Sequence, residues 1–385
     1  MIYLDGNSLG ALPRNVAARV ASTLEREWGH GLIRSWNEAG WIDLPARVGA
    51  RIAPLIGADP ACVVAADSTT VNLFKTVSAA LALRPDRRRI VTETRNFPTD
   101  NYIAEGVIRQ CGGRHELVHA ADADAVIDCL DADTAVLMLS HVNYRDGAVH
   151  DMAGLTRAAH EAGALVIWDL AHSAGVLPLD LARCGVDFAV GCGYKFLNGG
   201  PGAPAFLYAA ARHHGGFAQP LSGWFGHADP FGFDPHYRPA GDITQYLCGT
   251  PPVISMVALE AALELWDKVD LRDVHAKSQA LTDFFIELVE VRCAGHGLTL
   301  VSPRDAARRG AQVSLSHPTA GYAIISALIA DGVIGDFRAP DILRFGFAPL
   351  YTRFADVWHA VDRLAAILDG RLWDRPEFHA RRTVT

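Results

Sequence analysis

Two short segments of this chain carry residues suited to chemistry at a telling spacing: Asp169-Leu-Ala-His172, then Gly193-Tyr194-Lys195-Phe196. Each follows an apolar run. Ala164-Leu-Val-Ile-Trp168 predicts a buried strand that delivers Asp169 to its carboxyl end, and Asp187-Phe-Ala-Val190 predicts a second that delivers Tyr194 and Lys195. Ligands of open α/β sheets bind just outside the carboxyl ends of strands. A carboxylate and a lysine presented there suit pyridoxal 5'-phosphate: the lysine forms the Schiff base and the carboxylate keeps the pyridine nitrogen protonated. Singly, each residue has a plainer reading. A lysine in a Gly-rich loop is ordinarily a surface residue, Asp169 would serve as a helix cap, and His172 as a core histidine. No third ligand stands at suitable spacing from His172, so no metal is expected.

Other segments could complete such a site. Thr69-Thr70 precede a predicted helix, where hydroxyls and free N–H groups either cradle a phosphate or simply cap the helix. Phe97-Pro98-Thr99-Asp100 puts a ring and a carboxylate at another strand end, the ring suited to stacking on a flat cofactor or to ordinary core. Arg344 lies in the strand-like run Ile342-Leu-Arg-Phe-Gly346 and needs a partner if buried. A substrate carboxylate and a structural salt bridge both qualify.

These residues need elements to hold them. Helical periodicity covers Arg14–Trp28 and resumes over Ala46–Ile56, with a loop expected over 29–45. A βαβ rhythm follows: strands at Cys62–Ala66, Arg89–Thr92, Ala135–Leu139, the two strands above and Ala203–Tyr208, with helices at Thr69–Leu83, Thr99–Gln110 and Met152–Gly163. The alternation predicts a mostly parallel sheet covered on both faces. Pro251–Val269 and His275–Val291 are predicted helices, followed by short strands (Gln312–Ser316, Leu343–Phe347) and helices (Tyr322–Asp331, Ala355–Leu368). The expected division is an N-terminal arm and helix over 1–45, a large cofactor-binding α/β domain over 46–260, and a smaller α+β domain over 261–385.

Length and composition agree with this. At 385 residues the chain is too long for one simple core. Half of it is hydrophobic, and a net charge of −8 offers nothing to nucleic acid. Seven scattered cysteines never form C-x-x-C, which points to a reducing compartment rather than a disulfide framework. Met1-Ile-Tyr-Leu-Asp5 has neither the charged nor the apolar region of a signal peptide, so a cytoplasmic location is expected.

Taken together, these segments resemble kynureninase, a fold-type-I pyridoxal-phosphate enzyme, nearly end to end. The resemblance is carried by Tyr3-Leu-Asp-Gly-Asn-Ser-Leu-Gly10, Thr69-Thr-Val-Asn72, Asn96-Phe-Pro-Thr-Asp100, Asp169-Leu-Ala-His172 and Tyr194-Lys-Phe-Leu-Asn198. It continues through Gly223-Trp-Phe-Gly-His227, Gly249-Thr-Pro-Pro252 and Arg344 to Ala348-Pro-Leu-Tyr351. The aspartate–lysine pair fits many aminotransferases and desulfurases; Gly-Asn-Ser-Leu-Gly joined to Gly-Trp-Phe-Gly-His is far more specific. The resemblance implies a mostly parallel seven-stranded sheet between helices, a smaller α+β domain and a homodimer that shares its active site. It implies hydrolysis of the Cβ–Cγ bond of L-kynurenine to anthranilate and L-alanine.

By that resemblance Lys195 carries the cofactor and moves protons at Cα, Asp169 pairs with the pyridine nitrogen, and Phe97 stacks on the ring. Thr69, Thr70, Tyr194, Trp224 and Thr250 would surround the phosphate, while Pro98, Thr99, Asp100, Ser140 and His172 complete the cofactor shell. Arg344 would take the α-carboxylate, with Ser8, Trp36 and His172 also on the substrate, and Tyr194 would relay a proton. Trp36 and Gly249-Thr250 look like the bacterial form, which generally prefers kynurenine over its 3-hydroxy derivative. Bacterial members usually carry more residues ahead of the Gly-Asn-Ser-Leu-Gly run, which here begins at residue 6. The competing readings on the same scaffold are a cysteine-desulfurase-like enzyme, for which Cys293 is the only candidate nucleophile in the second domain, an aminotransferase, and a non-catalytic cofactor-binding regulator.

Overall fold

The computed structural model describes residues 1–217 and 219–381. Its principal sheet contains β1 (Val63–Ala65), β2 (Arg89–Glu93), β3 (Glu116–Ala120), β4 (Thr134–Ser140), β5 (Leu165–Asp169), β6 (Phe188–Cys192) and β7 (Ala205–Ala209). The strands lie in the order β1-β7-β6-β5-β4-β2-β3. Every neighbouring pair is parallel except those made by β7, which runs against both β6 and β1. This is the seven-stranded, mostly parallel sheet that the resemblance implied.

The apolar runs read as strands are buried on both faces. Along β4, Leu137 and Leu139 join one core while Val136 and Met138 join the other, as the period of two requires. Leu165 and Ile167 of β5 alternate with Val166 and Trp168 in the same way. Two consecutive elements in the large-sheet region escaped the sequence reading. Glu-Leu-Val-His-Ala of β3 is an edge strand with exposed Glu116 and His119, and the helix Ala123–Asp128 that follows spans only six residues. Near the start, the helix Arg14–Ser22 continues as a π-helix over Thr23–Gly31, and the expected loop holds a short helix at Ser35–Glu38.

A second, antiparallel sheet contains β8 (Thr299–Leu300), β9 (Gln312–Ser316), β10 (Asp336–Arg338) and β11 (Ile342–Gly346), in the order β10-β11-β9-β8. Its core draws on the helices Leu271–Arg292, Gly321–Ala330 and Phe354–Asp369. Ile2 and Leu4 of the amino terminus belong to this core, because Ile2–Tyr3 pairs in parallel with Val333–Ile334. The arm thereby starts in a separate two-stranded sheet packed on the core of the second sheet. No helix among the described residues is long and apolar enough to cross a membrane.

One buried charge ties the large sheet together. Asp187, just before β6, accepts from Val166 N at 2.9 Å, pairs with Arg212 and His213 at 2.7 Å and with His160 at 2.8 Å. These partners hold its carboxyl well below the usual range despite the opposing effect of burial. Asp187→Ala is expected to lower unfolding free energy by about 2–3 kcal/mol, somewhat less than a fully enclosed pair because Arg212 and His160 reach solvent. A depressed folded-state value means the stabilisation is complete above the unfolded carboxylate's value of about 4 and is lost as pH falls below it. Denaturant midpoints at pH 7 and under acid conditions check both statements: wild type and variant converge in acid.

Candidate active site

Asp169 closes β5, and Ala171 N donates to its Oδ1 at 2.8 Å. The adjacent strand β6 ends at Cys192, and the chain turns through Gly193 into Tyr194 and Lys195. That turn is packed too closely for a side chain at Gly193, where a Cβ would lie 2.4 Å from the Pro204 carbonyl oxygen. Two helix starts face the same place. Ser68 caps the helix Thr69–Ala82 by accepting from Val71 N at 3.3 Å, and Pro98 occupies the first turn of the helix Pro98–Gln110.

Together these elements enclose a cavity of about 240 Å³ lined by Thr69, Thr70, Phe97, Thr99, Asp100, Ser140, Asp169, His172, Tyr194 and Lys195. Ten residues singled out from the sequence thus meet around one space. Leu73, Val142, Tyr144 and Ala171 line it as well and were not foreseen. Tyr144 sits just beyond the end of β4, and the strand-end rule that located Asp169 would have reached it; its ring meets Phe97 edge-on at 5.2 Å.

The cavity is electrostatically demanding. Asp100 is fully buried; Ser140 Oγ donates to its Oδ2 at 3.1 Å, and its Oδ1 has no partner among the described residues. Burial and then repulsion from Asp169 drive its carboxyl well above the usual range. Burial raises Asp169 too, against the pull of Lys195. His172 is pushed well below the ordinary imidazole value by burial, and Lys195, Arg344 and Arg338 push the same way. It is therefore a neutral ring at pH 7. Two buried carboxyls beside a lysine, an orphaned acceptor and two threonines at a helix start form a donor and acceptor set that fits a phosphorylated pyridine. The ring nitrogen would meet Asp169 and the phosphate would meet Thr69 and Thr70.

Arg344 lies outside the cavity wall and is 2% exposed. Its Nε donates to Asp336 Oδ1 at 2.8 Å and its Nη2 pairs with Asp336 Oδ2. Nη2 also reaches Ser8 Oγ and Nη1 reaches the Tyr144 carbonyl oxygen, both at 2.9 Å. Asp336 in addition meets Arg338 at 2.7 Å. The neighbouring Asp5 is pushed up to about 7, by burial first and by Asp336 next. Two carboxyls, one of them disfavoured as an anion by burial, thus share this cluster with two guanidinium groups.

The Gly6-Asn-Ser-Leu-Gly10 run joins this cluster to the lysine. Asn7 Nδ2 donates to Gln312 Oε1 at 3.1 Å, Ser8 meets Arg344, and Gly10 N donates to the Tyr194 carbonyl at 2.8 Å. A Cβ on Gly10 would lie 2.3 Å from the Lys195 carbonyl oxygen, so glycine is required by space there.

Three expected site residues stand elsewhere in this chain. Trp224 is 39% exposed and packs edge-on against Phe225 and Phe231. Thr250 and Trp36 line a separate apolar groove of about 750 Å³ with Leu12, Val16, Trp28 and Ile254. A single chain does not bring them to Lys195.

Comparison with known proteins decides the family. Residues 274–364 match the family model for the kynureninase C-terminal domain. The kynureninase of Pseudomonas fluorescens is 53% identical over 389 aligned positions, covering 100% of this chain and 93% of that one, and the kynureninase of Burkholderia pseudomallei matches to the same extent. The chain belongs to the kynureninase family. Kynureninases are carbon–carbon bond hydrolases, and this chain is one of them. Among solved structures, a cysteine desulfurase from Escherichia coli superposes with a TM-score of 0.79 at 20% identity, covering 96% of this chain and 94% of that one. At that identity the likeness is one of fold. The thiol a desulfurase would need is not offered by Cys293, which is buried at a helix end and pushed up to about 11 by that burial. The kynureninase reading therefore stands over the desulfurase one on both the comparison and the thiol.

Proposed function

We propose that this chain hydrolyses the Cβ–Cγ bond of L-kynurenine, releasing anthranilate and L-alanine, with pyridoxal 5'-phosphate attached through Lys195 and kynurenine preferred over its 3-hydroxy derivative. The observation that carries the reading is the meeting of Lys195, Asp169 and Asp100 in one cavity beside a carboxylate-seeking arginine cluster. When bound, the cofactor supplies an electron sink for charge that develops on the amino-acid carbons. Asp169 holds the ring nitrogen, Phe97 covers the ring, and Thr69 and Thr70 hold the phosphate. Pro98 and Thr99 set the helix turn that presents Asp100, and Ser140 orients that carboxyl. Arg344 and Ser8 receive the substrate carboxylate, and neutral His172 borders the substrate. Lys195 would hold the cofactor and move the proton at Cα.

Tyr194 serves as the proton relay for the later steps. Burial holds its phenol well above the ordinary value, so at neutral pH it is a hydrogen-bond donor with a proton to give. Tyr194→Phe is expected to slow anthranilate release and alanine formation by about 10²-fold while cofactor absorbance persists. Unchanged rates for both products would remove the assignment.

The working unit in this reading is a homodimer. Leu12 (72% exposed), Trp28 (57%) and Ile254 (42%) line the apolar groove, a surface suited to burial against another chain. Trp224, Thr250 and Trp36 of a second copy would then complete the phosphate end and the ring pocket around Lys195. A cytoplasmic location accords with seven free cysteines. The decisive experiment loads the purified chain with cofactor, records its absorbance, and adds L-kynurenine while following anthranilate fluorescence. Absorbance without anthranilate would keep the cofactor and discard the reaction.

A further inference from the structure

We propose that Asp336 is the positioning residue that aims Arg344 at the substrate's α-carboxylate; the proposal rests on the role given above to Arg344. The two side chains are opposite each other on paired antiparallel strands, Asp336 on β10 and Arg344 on β11. They meet through a two-point contact, Nε to Oδ1 and Nη2 to Oδ2. Both are nearly enclosed, Asp336 at 4% and Arg344 at 2% exposure. Such a fork fixes the plane of the guanidinium as well as its place.

The count of protons shows what remains for a ligand. A guanidinium has five N–H groups. Asp336 takes two, along the Nε–Nη2 edge, and the Tyr144 carbonyl oxygen takes one from Nη1. Ser8 Oγ receives the second Nη2 proton, and the second Nη1 proton has no partner among the described residues. Nη1 thus keeps one open donor, and Nη2 shares its second with the Ser8 hydroxyl, which itself donates to Asp336 Oδ2 at 3.1 Å. A carboxylate that takes the open Nη1 donor and displaces Ser8 from Nη2 would complete a second fork. Asp336 accordingly does not compete with substrate: it occupies the other edge and presents the one left over.

The opposing possibility is that the pair merely holds β10 to β11. The experiment separates them with the cofactor-loaded enzyme, titrated with L-kynurenine for KM and kcat, and separately with L-alanine followed by cofactor absorbance. L-alanine contains the α-amine and α-carboxylate and no ring. Asp336→Asn keeps the size and one acceptor but frees the fork, and is expected to raise KM and the L-alanine dissociation constant at least tenfold each, with kcat within about threefold. Asp336→Glu, which keeps the charge one methylene further out, is expected to recover part of both. A purely structural pair would instead lower kcat, cofactor content and thermal stability together in both variants, with KM unmoved; that pattern, or a wild-type KM in Asp336→Asn, overturns the proposal. If the unaltered chain turns over no L-kynurenine, the function reading fails by itself, and the L-alanine titration still decides for or against Asp336. Should Asp336→Asn not fold, Asp336→Glu with a wild-type L-alanine constant would overturn it.

Discussion

Lys195→Ala is expected to lower kcat for anthranilate release at least about a thousandfold, equivalent to about 4 kcal/mol of barrier. The size follows from two duties resting on one amine. In the proposed reading Lys195 attaches the cofactor at the mouth of the β6 turn, and the same nitrogen moves the proton at Cα. No second amine lines the cavity to take over: Lys195 is the one lysine among its lining residues. The variant is also expected to lose the absorbance of covalently held cofactor while still retaining cofactor through Asp169, Thr69 and Thr70. Gel filtration followed by absorbance separates the two effects. Residual kcat within tenfold of wild type would mean that another group moves the proton.

The second large effect is expected at Asp169. Its carboxyl is 5% exposed, anchored by Ala171 N and set at the end of a buried strand, so it cannot turn to solvent. Burial alone disfavours its charge, and a cationic ring nitrogen is the partner that would restore it. Asp169→Asn removes that charge with little change in shape. It is expected to reduce kcat by about 10²–10³-fold with saturating cofactor, the range found when one preorganised electrostatic partner is lost. A kcat within fivefold of wild type in cofactor-saturated Asp169→Asn would show that the ring nitrogen does not depend on this carboxylate.

Much of the large sheet was legible because its strands are apolar on both faces and end in polar residues. β4, β5 and β6 are short unbroken apolar runs, and each delivers a cavity residue within a few positions of its end: Ser140 and Tyr144, Asp169, and Lys195. β3 was not legible, since an edge strand with half its side chains in water has neither a full run nor a clean alternation. Asp336 was missed for another reason. Its value lies in register, and nothing in Asp-Phe-Arg-Ala-Pro-Asp-Ile-Leu-Arg344 says that the first and last residues will stand opposite each other. Arg344 itself was read with two possible partners, and the structure shows one of them, the salt bridge to Asp336. Trp224, Thr250 and Trp36 could be named from the resemblance, yet none of them lines the Lys195 cavity in the single chain.

The Gly10 contact has a mechanical meaning. Ser8 is bonded to the arginine cluster of the second sheet, and Gly10 is bonded to the loop that holds Lys195. Only Leu9 lies between them, so the chain from one to the other spans at most about 7 Å. A tether that short has almost no slack. Any hinge motion that swings the second sheet away from the first must pull on the lysine loop or break the arm's contacts at one end. In the proposed reading, the grip on the substrate carboxylate and the attachment of the cofactor are therefore coupled in series for as long as both contacts of the arm hold.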